Sequence, residues 1–240
     1  MSKTLLIAGR ELGAYRRSWL GPIVIAATLL ADGLFFYVMA LTKPMLSAEA
    51  LGQFFFWAGG IGAVAAVFLS MRLVAEERQT GTITLLNTAP VSEWEIVLGK
   101  YLALLAVVVL MTALTCYMPL WLMVRGKISL GHILVGYFGM VLYAGTVAAI
   151  GLFASTLTRS QIVAGVVGGV IAVALVLMWA VGKVVDPPLN QFFSALALHH
   201  YNFRPFMDGV LQLDKVVYYL AVTFFFLLAA TKSMEARRWR

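Results

Sequence analysis

Residues 76–100 read EERQTGTITLLNTAPVSEWEIVLGK and separate two apolar runs, each long enough to cross a lipid bilayer. The segment carries four carboxylates, at Glu76, Glu77, Glu93 and Glu95. Ionised groups are not stable in hydrocarbon, so this segment has to project into water between two membrane helices. The pattern predicts a shaped polar element that a partner can bind, rather than an irregular loop.

The rest of the chain has the composition of an integral membrane protein. Of its 240 residues, 62% are hydrophobic and 12% are charged, which leaves too few polar side chains to cover a soluble globule. A membrane helix needs about 20 apolar residues. Six runs are candidates: residues 20–41, 51–74, 101–124, 133–157, 161–182 and 216–231. We therefore expect an all-α polytopic membrane protein, with six transmembrane helices in one domain over residues 1–240.

The distribution of positive charge predicts the orientation of the chain. The net charge of +7 alone would be compatible with a nucleic-acid partner. However, twelve of the 18 Lys and Arg residues fall on the side of the N-terminus. The six on the opposite side are Lys43, Arg125, Lys127, Lys183, Arg204 and Lys215. The positive-inside rule then places both termini in the cytoplasm, with membrane lipid and not nucleic acid as the counter-charge.

Residues 2–19 have the pattern of an amphipathic helix. Apolar residues recur at spacings of three and four, and charged residues occupy the remaining arc. The apolar positions are Leu5, Ala8, Leu12, Tyr15 and Trp19. This pattern predicts a helix that lies on the cytoplasmic leaflet. An extension of the first transmembrane helix is the alternative.

Turn and capping signals divide the polar segment. Gly81 suits a left-handed end of the second span, and Thr82 can cap a short helix. Pro90 disfavours helical geometry at the preceding residue and ends that helix. Ser92 with Glu95 three residues later forms a capping box, which predicts the start of the third span.

The short helix between these signals presents an apolar tip of Ile83, Leu85 and Leu86. Such a tip can bind a protein partner. Alternatively, the three side chains can dip back into the lipid interface, and the pattern alone does not separate these readings.

Residues 183–215 form the longest connection on the other side. They open on Asp186-Pro187-Pro188, contain many apolar and aromatic residues, and reach a turn at Asp208-Gly209. This composition predicts short helices against the outer leaflet, and hence an ordered cap.

Two features inside the spans suggest further roles. Asp32 lies deep in the first span, where a carboxylate is costly, so it is a candidate pathway residue unless it reaches water in the outer half. Gly165 and Gly169, with Gly168 between them, form a small-xxx-small pattern in the fifth span. This pattern allows close approach of a helix, either of a second subunit or of the same chain.

The sequence contains no motif for catalysis. The pairs Gly99–Lys100, Gly126–Lys127 and Gly182–Lys183 lack the upstream glycine and the following Ser or Thr of a phosphate-binding loop. His199 and His200 are adjacent but have no acidic or thiol ligand at a suitable spacing. We therefore expect that the chain is not an enzyme and holds no metal.

Two stretches resemble a known family. The segment EERQTGTITLLNTAPVSEWEIVLGK is similar to the cytoplasmic segment of type-2 ABC-transporter permeases, especially the gliding-motility-associated and nitrous-oxide-reductase copper-maturation subgroups. HHYNFRPFMDGVLQLDKVVYYL and the tail SMEARRWR resemble the end of the gliding-motility-type permeases. The resemblance covers nearly the whole chain.

The resemblance implies a permease in the cytoplasmic membrane of a prokaryote. It would pair with a second, identical or homologous permease and with a cytoplasmic ABC ATPase dimer, which would hold ATP and Mg²⁺, so that this chain needs no cofactor. Residues 2–19 would be a connecting helix, 82–90 the coupling helix, and 187–212 extracytoplasmic re-entrant helices. Helices one and five would line the dimer interface. Another subunit would have to supply any extracytoplasmic domain.

The ATPase-docking residues implied in this way are Glu76, Glu77, Arg78, Gly81, Thr82, Ile83, Leu85, Leu86 and Pro90. The expected function is ATP-driven export or mechanotransmission. The alternative is a non-transporting membrane anchor of a motility or envelope complex.

Overall fold

The computed structural model describes residues 2–42, 45–82 and 91–238, and these ranges are helical with no β-strand. The helices are α1 (Lys3–Arg17), α2 (Leu20–Phe35) with a π-helical continuation (Phe36–Leu41), α3 (Ser47–Ser70), α4 (Ala75–Gln79), α5 (Glu93–Leu114), α6 (Tyr117–Arg125), α7 (Leu130–Leu157), α8 (Gln161–Val184), α9 (Leu189–Leu196), α10 (Arg204–Met207) and α11 (Leu213–Arg238).

Six segments of the described chain are long and apolar enough to cross a membrane, which confirms the prediction of an all-α polytopic fold. They are Leu20–Met39, Ser47–Gln79, Glu93–Val124, Leu130–Leu157, Gln161–Val184 and Leu213–Ala236. The helix ends that lie beside α1 form what we call the N-terminal face. The ends that lie beside α9 and α10 form the opposite face.

The third span is interrupted between α5 and α6, at Thr115 and Cys116. Pro119 lies four residues after Thr115 and has no backbone N–H to donate to the Thr115 carbonyl. The Thr115 carbonyl instead accepts the Met118 N–H, at 3.1 Å, and the Thr115 hydroxyl donates to the Thr112 carbonyl, at 2.8 Å. The break is therefore a local consequence of the proline.

Helix α7 is at the centre of the bundle, where it packs against α3, α5, α8 and α11. Nearly every residue from Tyr143 to Thr156 is buried. Small residues allow this close packing. For example, a Cβ atom at Gly139 would lie 2.5 Å from the Phe206 side chain, which therefore fills the space that the glycine leaves.

Helix α1 is separate from the first span, because Ser18 has extended backbone (φ −90°, ψ 141°) and ends it. Its predicted apolar face is divided. Ala8 and Tyr15 are buried against the protein, whereas Leu5, Leu12 and Trp19 are exposed. The reason is that α1 packs on α5, with Ile7 also facing the protein.

Residues 183–215 include α9 and α10 and cap the opposite face. Phe203 and Phe206 are both 0% exposed and lie against α3 and α7. Tyr218 on α11 donates its hydroxyl hydrogen to the Leu196 carbonyl, at 2.7 Å, and the Tyr219 hydroxyl bonds Leu198 in the same way. These contacts anchor the cap to the transmembrane bundle.

Candidate functional site

The candidate site lies on the N-terminal face, where the chain turns out of α3 into residues 76–100. After α3, residues 71–74 form a turn and α4 follows. The Ser155 hydroxyl on α7 accepts the backbone N–H groups of Val74 and Ala75, at 3.0 and 2.9 Å, and donates to the Met71 carbonyl, at 3.0 Å. One buried hydroxyl thus fixes the corner between α3 and α4 to the central helix.

Arg78 and Arg72 attach this corner at two further points. The Arg78 guanidinium donates to the Thr156 carbonyl at the end of α7. Arg72 donates to the Ser18 hydroxyl, at 2.6 Å, and pairs with the Glu76 carboxylate, at 2.9 Å. The predicted docking residues Glu76 and Arg78 are therefore engaged within the chain.

Four charged side chains form what we call the internal charge network: Arg10, Glu11, Glu77 and Lys100. The Lys100 ammonium lies 3.0 Å from Glu11 Oε1 and 2.9 Å from Glu77 Oε1. The Arg10 guanidinium lies 2.8 Å from the same two oxygens. Two cations and two anions neutralise each other, which allows the Lys100 side chain to be 0% exposed.

The network joins three elements that are far apart in sequence: α1, α4 and α5. Its geometry depends on Gly99, where a Cβ atom would lie 2.9 Å from both Ile7 and the Thr4 carbonyl oxygen. Because glycine leaves this space, α1 can lie directly on α5. The close approach brings Glu11 to Lys100.

The pKa of Glu11 reflects these contacts. Burial alone would raise it, but the Lys100 ammonium and the Arg10 guanidinium outweigh burial and hold the pKa below its ordinary value. Tyr15, one turn further along α1, is also buried, which raises its pKa, and its hydroxyl donates to the Leu69 carbonyl, at 2.7 Å. Helix α1 is thus attached to both α3 and α5.

A cavity of about 540 Å³ opens between α1 and α4 beside the network. Arg17, Arg72, Glu76 and Thr82 contribute to its lining. The Glu77 Oε2 atom is buried and has no hydrogen-bond partner among the described residues. The cavity therefore has both positively and negatively charged side chains in its lining, and Thr82, the last described residue before position 83, lies beside them.

The remaining predicted docking residues divide into two groups. Gly81 has φ +76°, which confirms the left-handed turn predicted there, and the exposed Thr82 hydroxyl lies 2.9 Å from that of Thr80. Ile83, Leu85, Leu86 and Pro90 lie outside the described residues.

Beyond these residues the capping box is confirmed. The Glu95 backbone N–H donates to the Ser92 hydroxyl, at 3.3 Å, and the Ser92 N–H donates to the Glu95 carboxylate, at 2.8 Å.

Sequence reasoning missed Arg10, Glu11, Lys100 and Ser155. Lys100 carried a usable signal, because a lysine this close to an apolar run is expected to pair if it is buried. Because Lys100 is the last residue of the polar segment 76–100, the sequence pattern favours an exposed lysine there. Glu11 is one of the charged residues on the polar arc predicted for residues 2–19, where a carboxylate is expected to face water. For Ser155, nothing in the sequence predicts its contacts.

The other predicted residues lie away from this site. Asp32 is 3% exposed, and its Oδ1 atom has no hydrogen-bond partner among the described residues, although Tyr137 lies close enough to interact electrostatically. A pathway role for Asp32 stays a prediction.

Of the glycines in α8, Gly165 and Gly168 both face atoms of this chain. A Cβ atom added at Gly165 would lie 3.2 Å from the Met71 sulfur. One added at Gly168 would lie 3.2 Å from the Gly151 Cα, whereas Gly169 has open space.

A comparison with protein families identifies the class of this molecule. Residues 32–231, most of the chain, match the family described as ABC-2 family transporter protein. The chain belongs to this family, and it is a multi-pass membrane permease component of an ABC transporter. Membership implies association with an ABC ATPase and typically with a second permease. No curated protein matches the chain.

Proposed function

We propose that this permease couples ATP hydrolysis by two partner ATPases to a conformational change across a prokaryotic cytoplasmic membrane, in export or mechanotransmission. Both termini and residues 76–100 face the cytoplasm in this proposal. ATP and Mg²⁺ bind in the ATPase dimer. Residues 82–90 are the coupling helix, and 2–19 are the connecting helix.

The Glu77–Lys100 ion pair is the observation that carries the proposal. Glu77 precedes residues 82–90 in the chain and Lys100 follows them. Their 2.9 Å contact joins the two ends of this connection. The same two side chains bind Arg10 and Glu11 on α1. A displacement of residues 82–90 would therefore move α3, α5 and α1 together, because buried ion pairs resist separation. In this way a movement of the ATPases would be transmitted to the membrane-spanning helices.

The docking step is tested with the double variant Leu85→Asp and Leu86→Asp. Two carboxylates in the apolar tip would have to be desolvated on binding, so we expect at least a tenfold loss of ATPase co-purification. Membrane insertion should be unchanged, because the segment lies outside the spans.

The matched control carries Leu211→Asp and Leu213→Asp, two exposed leucines of the opposite face. This control should retain the ATPase. Full co-purification with the Leu85 and Leu86 variant would refute docking at residues 82–90.

The second permease is proposed to bind along α2 and α8. Within one chain these two helices leave most of their surface exposed. On α8, a shallow apolar groove of about 520 Å³ runs along Gly165, Gly169 and Val173. An identical or homologous permease would cover this groove by close helix packing.

The resemblance of the last span and tail to gliding-motility permeases supports a second candidate function, a non-transporting membrane anchor of a motility or envelope complex. A separate subunit would then supply any extracytoplasmic domain. The two functions differ in one measurement. ATPase activity of the purified complex responds to a transported substrate if the complex exports one, and to no candidate substrate if it is an anchor.

A further inference from the structure

Two adjoining cavities lie on the opposite face, beside α9 and α10. One has a net negative lining and the other a net positive lining. What we call the acidic cavity has a volume of about 510 Å³ and is lined by Glu49, Gln53 and His199, among others. The basic cavity, of about 450 Å³, is lined by Trp179 and Lys183, among others. The two share a wall formed by His200, Arg204 and Asp208. Their sizes suit small ligands.

His199 is an unsatisfied hydrogen-bonding group in the wall of the acidic cavity. The residue is 7% exposed, and its Nε2 atom is buried with no partner among the described residues. The His199 side chain also interacts with the Phe56 backbone, and burial lowers the pKa of His199 to about 4. The ring is therefore neutral at pH 7, and in the tautomer with the proton on Nδ1 the Nε2 atom has a free lone pair. A ligand with an N–H or O–H donor would satisfy it.

The charges of the acidic cavity favour a cationic donor. Glu49, Asp208 and Arg204 line it, so two carboxylates face one guanidinium, and Asp208 is 62% exposed with only a weak 4.0 Å contact to Arg204. Both carboxylates are thus available to a ligand. A primary ammonium group can pair with them and also donate a hydrogen bond to His199 Nε2.

The basic cavity provides the complementary charge next to an apolar wall. The Lys183 ammonium lies 4.5 Å from the centre of the Trp179 ring, and Arg204 is 73% exposed. Tyr201, Pro205 and Val210 complete a largely apolar lining. Two cations beside apolar groups at a helix end suit the phosphate of a lipid-like ligand.

We propose that the two cavities together bind a zwitterionic phosphoethanolamine group. Its ammonium occupies the acidic cavity, against Glu49, Asp208 and His199. Its phosphate lies across the shared wall, against Arg204 and Lys183. A phosphocholine group does not fit as well, because its quaternary ammonium has no N–H to donate to His199.

Binding is measured with the full chain in nanodiscs. Soluble glycerophosphoethanolamine and glycerophosphocholine are titrated and compared, and phosphatidylethanolamine and phosphatidylcholine are compared by native mass spectrometry. We expect the ethanolamine form to bind about tenfold more tightly, the contribution of a hydrogen bond to a charged group. Binding of the soluble and lipid forms identifies the headgroup as the ligand, and binding of the lipid alone identifies a membrane source. Either result supports the site, whereas equal binding of ethanolamine and choline forms overturns it.

Three variants locate the site. His199→Phe keeps a ring of similar size and should abolish the preference for ethanolamine. The double variant Glu49→Gln and Asp208→Asn changes exposed side chains only, so it tests the site even if His199→Phe misfolds. Asp214→Asn is the matched control, since Asp214 is an exposed carboxylate of the same face that lines neither cavity. Ethanolamine binding that is as tight in the double variant as in the wild type overturns the assignment.

The site does not depend on the proposed coupling. Co-purification of the ATPase is measured on the same variants and should not change, because both cavities lie at the far end of the spans from α4 and the start of α5. Failure of one proposal is therefore distinguishable from failure of the other.

Discussion

The buried ion pairs of Lys100 predict that a single substitution there lowers stability more than a combined substitution of Lys100 and its two carboxylate partners. Its ammonium is 0% exposed and is neutralised by two carboxylates, of Glu11 and Glu77. Removal of one member of a buried ion network leaves the others uncompensated, whereas removal of all members can be nearly neutral.

Lys100→Met should therefore destabilise the protein by about 3–5 kcal/mol. The triple variant Lys100→Met, Glu11→Gln and Glu77→Gln should recover much of this loss, because the only network charge that remains, on Arg10, is half-exposed and can be solvated. Thermal unfolding in detergent measures both. The control is Lys232→Met, which breaks an exposed pair with Glu235 and should cost less than about 1 kcal/mol. A triple variant as unstable as Lys100→Met would contradict this account.

The buried His199 predicts a pH dependence. Burial lowers its pKa in the folded protein from 6.5 to about 4. As pH falls below about 6.5, the unfolded chain binds the proton first, so stability decreases until pH reaches about 4. The loss attributable to His199 is up to about 3 kcal/mol.

Melting temperature as a function of pH tests this expectation. In His199→Phe the decline between pH 6.5 and pH 4 should be shallower than in the wild type. His200→Phe, a change in the exposed neighbour, should keep most of the wild-type slope, because the His200 charge is the smallest of the causes that act on the pKa of His199. Identical slopes in all three proteins would mean that His199 does not contribute.

The corner between α3 and α4 shows how one side chain can organise an element boundary. Ser155 is 0% exposed and satisfies two backbone N–H groups and one carbonyl, which belong to the turn before α4 and to the first residue of α4. In Ser155→Ala these groups are left without their partner in the protein interior. The cost is roughly 1–3 kcal/mol for each buried group that no water reaches.

We expect Ser155→Ala to weaken coupling as well as stability. If the corner loosens, the ATPase should still bind residues 82–90, but stimulation of its activity by the permease should fall. Ser160→Ala is the matched control, because the Ser160 hydroxyl accepts from the Val163 N–H of α8 and no hydrogen bond among the described residues joins it to the corner. Unchanged stimulation in Ser155→Ala would show that the corner does not transmit the movement.

The whole molecule exposes the helices that a second permease would cover. In α8, Gly168 faces α7 within the chain, and the adjacent Gly169 faces open space. A substitution at Gly168 should therefore affect folding, whereas one at Gly169 should affect only the contact with a second permease. Comparing the two separates assembly from folding.

Gly169→Leu should leave the melting temperature of the monomer nearly unchanged and weaken the permease dimer, because a large side chain blocks close helix approach. Gly168→Leu should instead destabilise the chain, since it would clash with Gly151 and Ala154. Light scattering gives the oligomeric state, and thermal unfolding gives stability. A Gly169→Leu permease that dimerises normally would place the interface elsewhere.

The sequence alone was sufficient for the membrane architecture. Long apolar runs have to become helices in lipid, because every backbone polar group needs a partner within the helix. Local signals were equally reliable where they depend on a few neighbouring residues, as at Gly81 and at the Ser92 capping box.

Only the tertiary structure decided which side chains meet across the helices. The pairing of Lys100 with Glu11 joins residues 89 positions apart and requires Gly99 to admit α1. The Ser155 contacts and the two cavities beside His199 likewise arise from elements that are distant in sequence. Periodicity reports which side of a helix is apolar, but whether that side faces lipid or protein depends on how the helices pack.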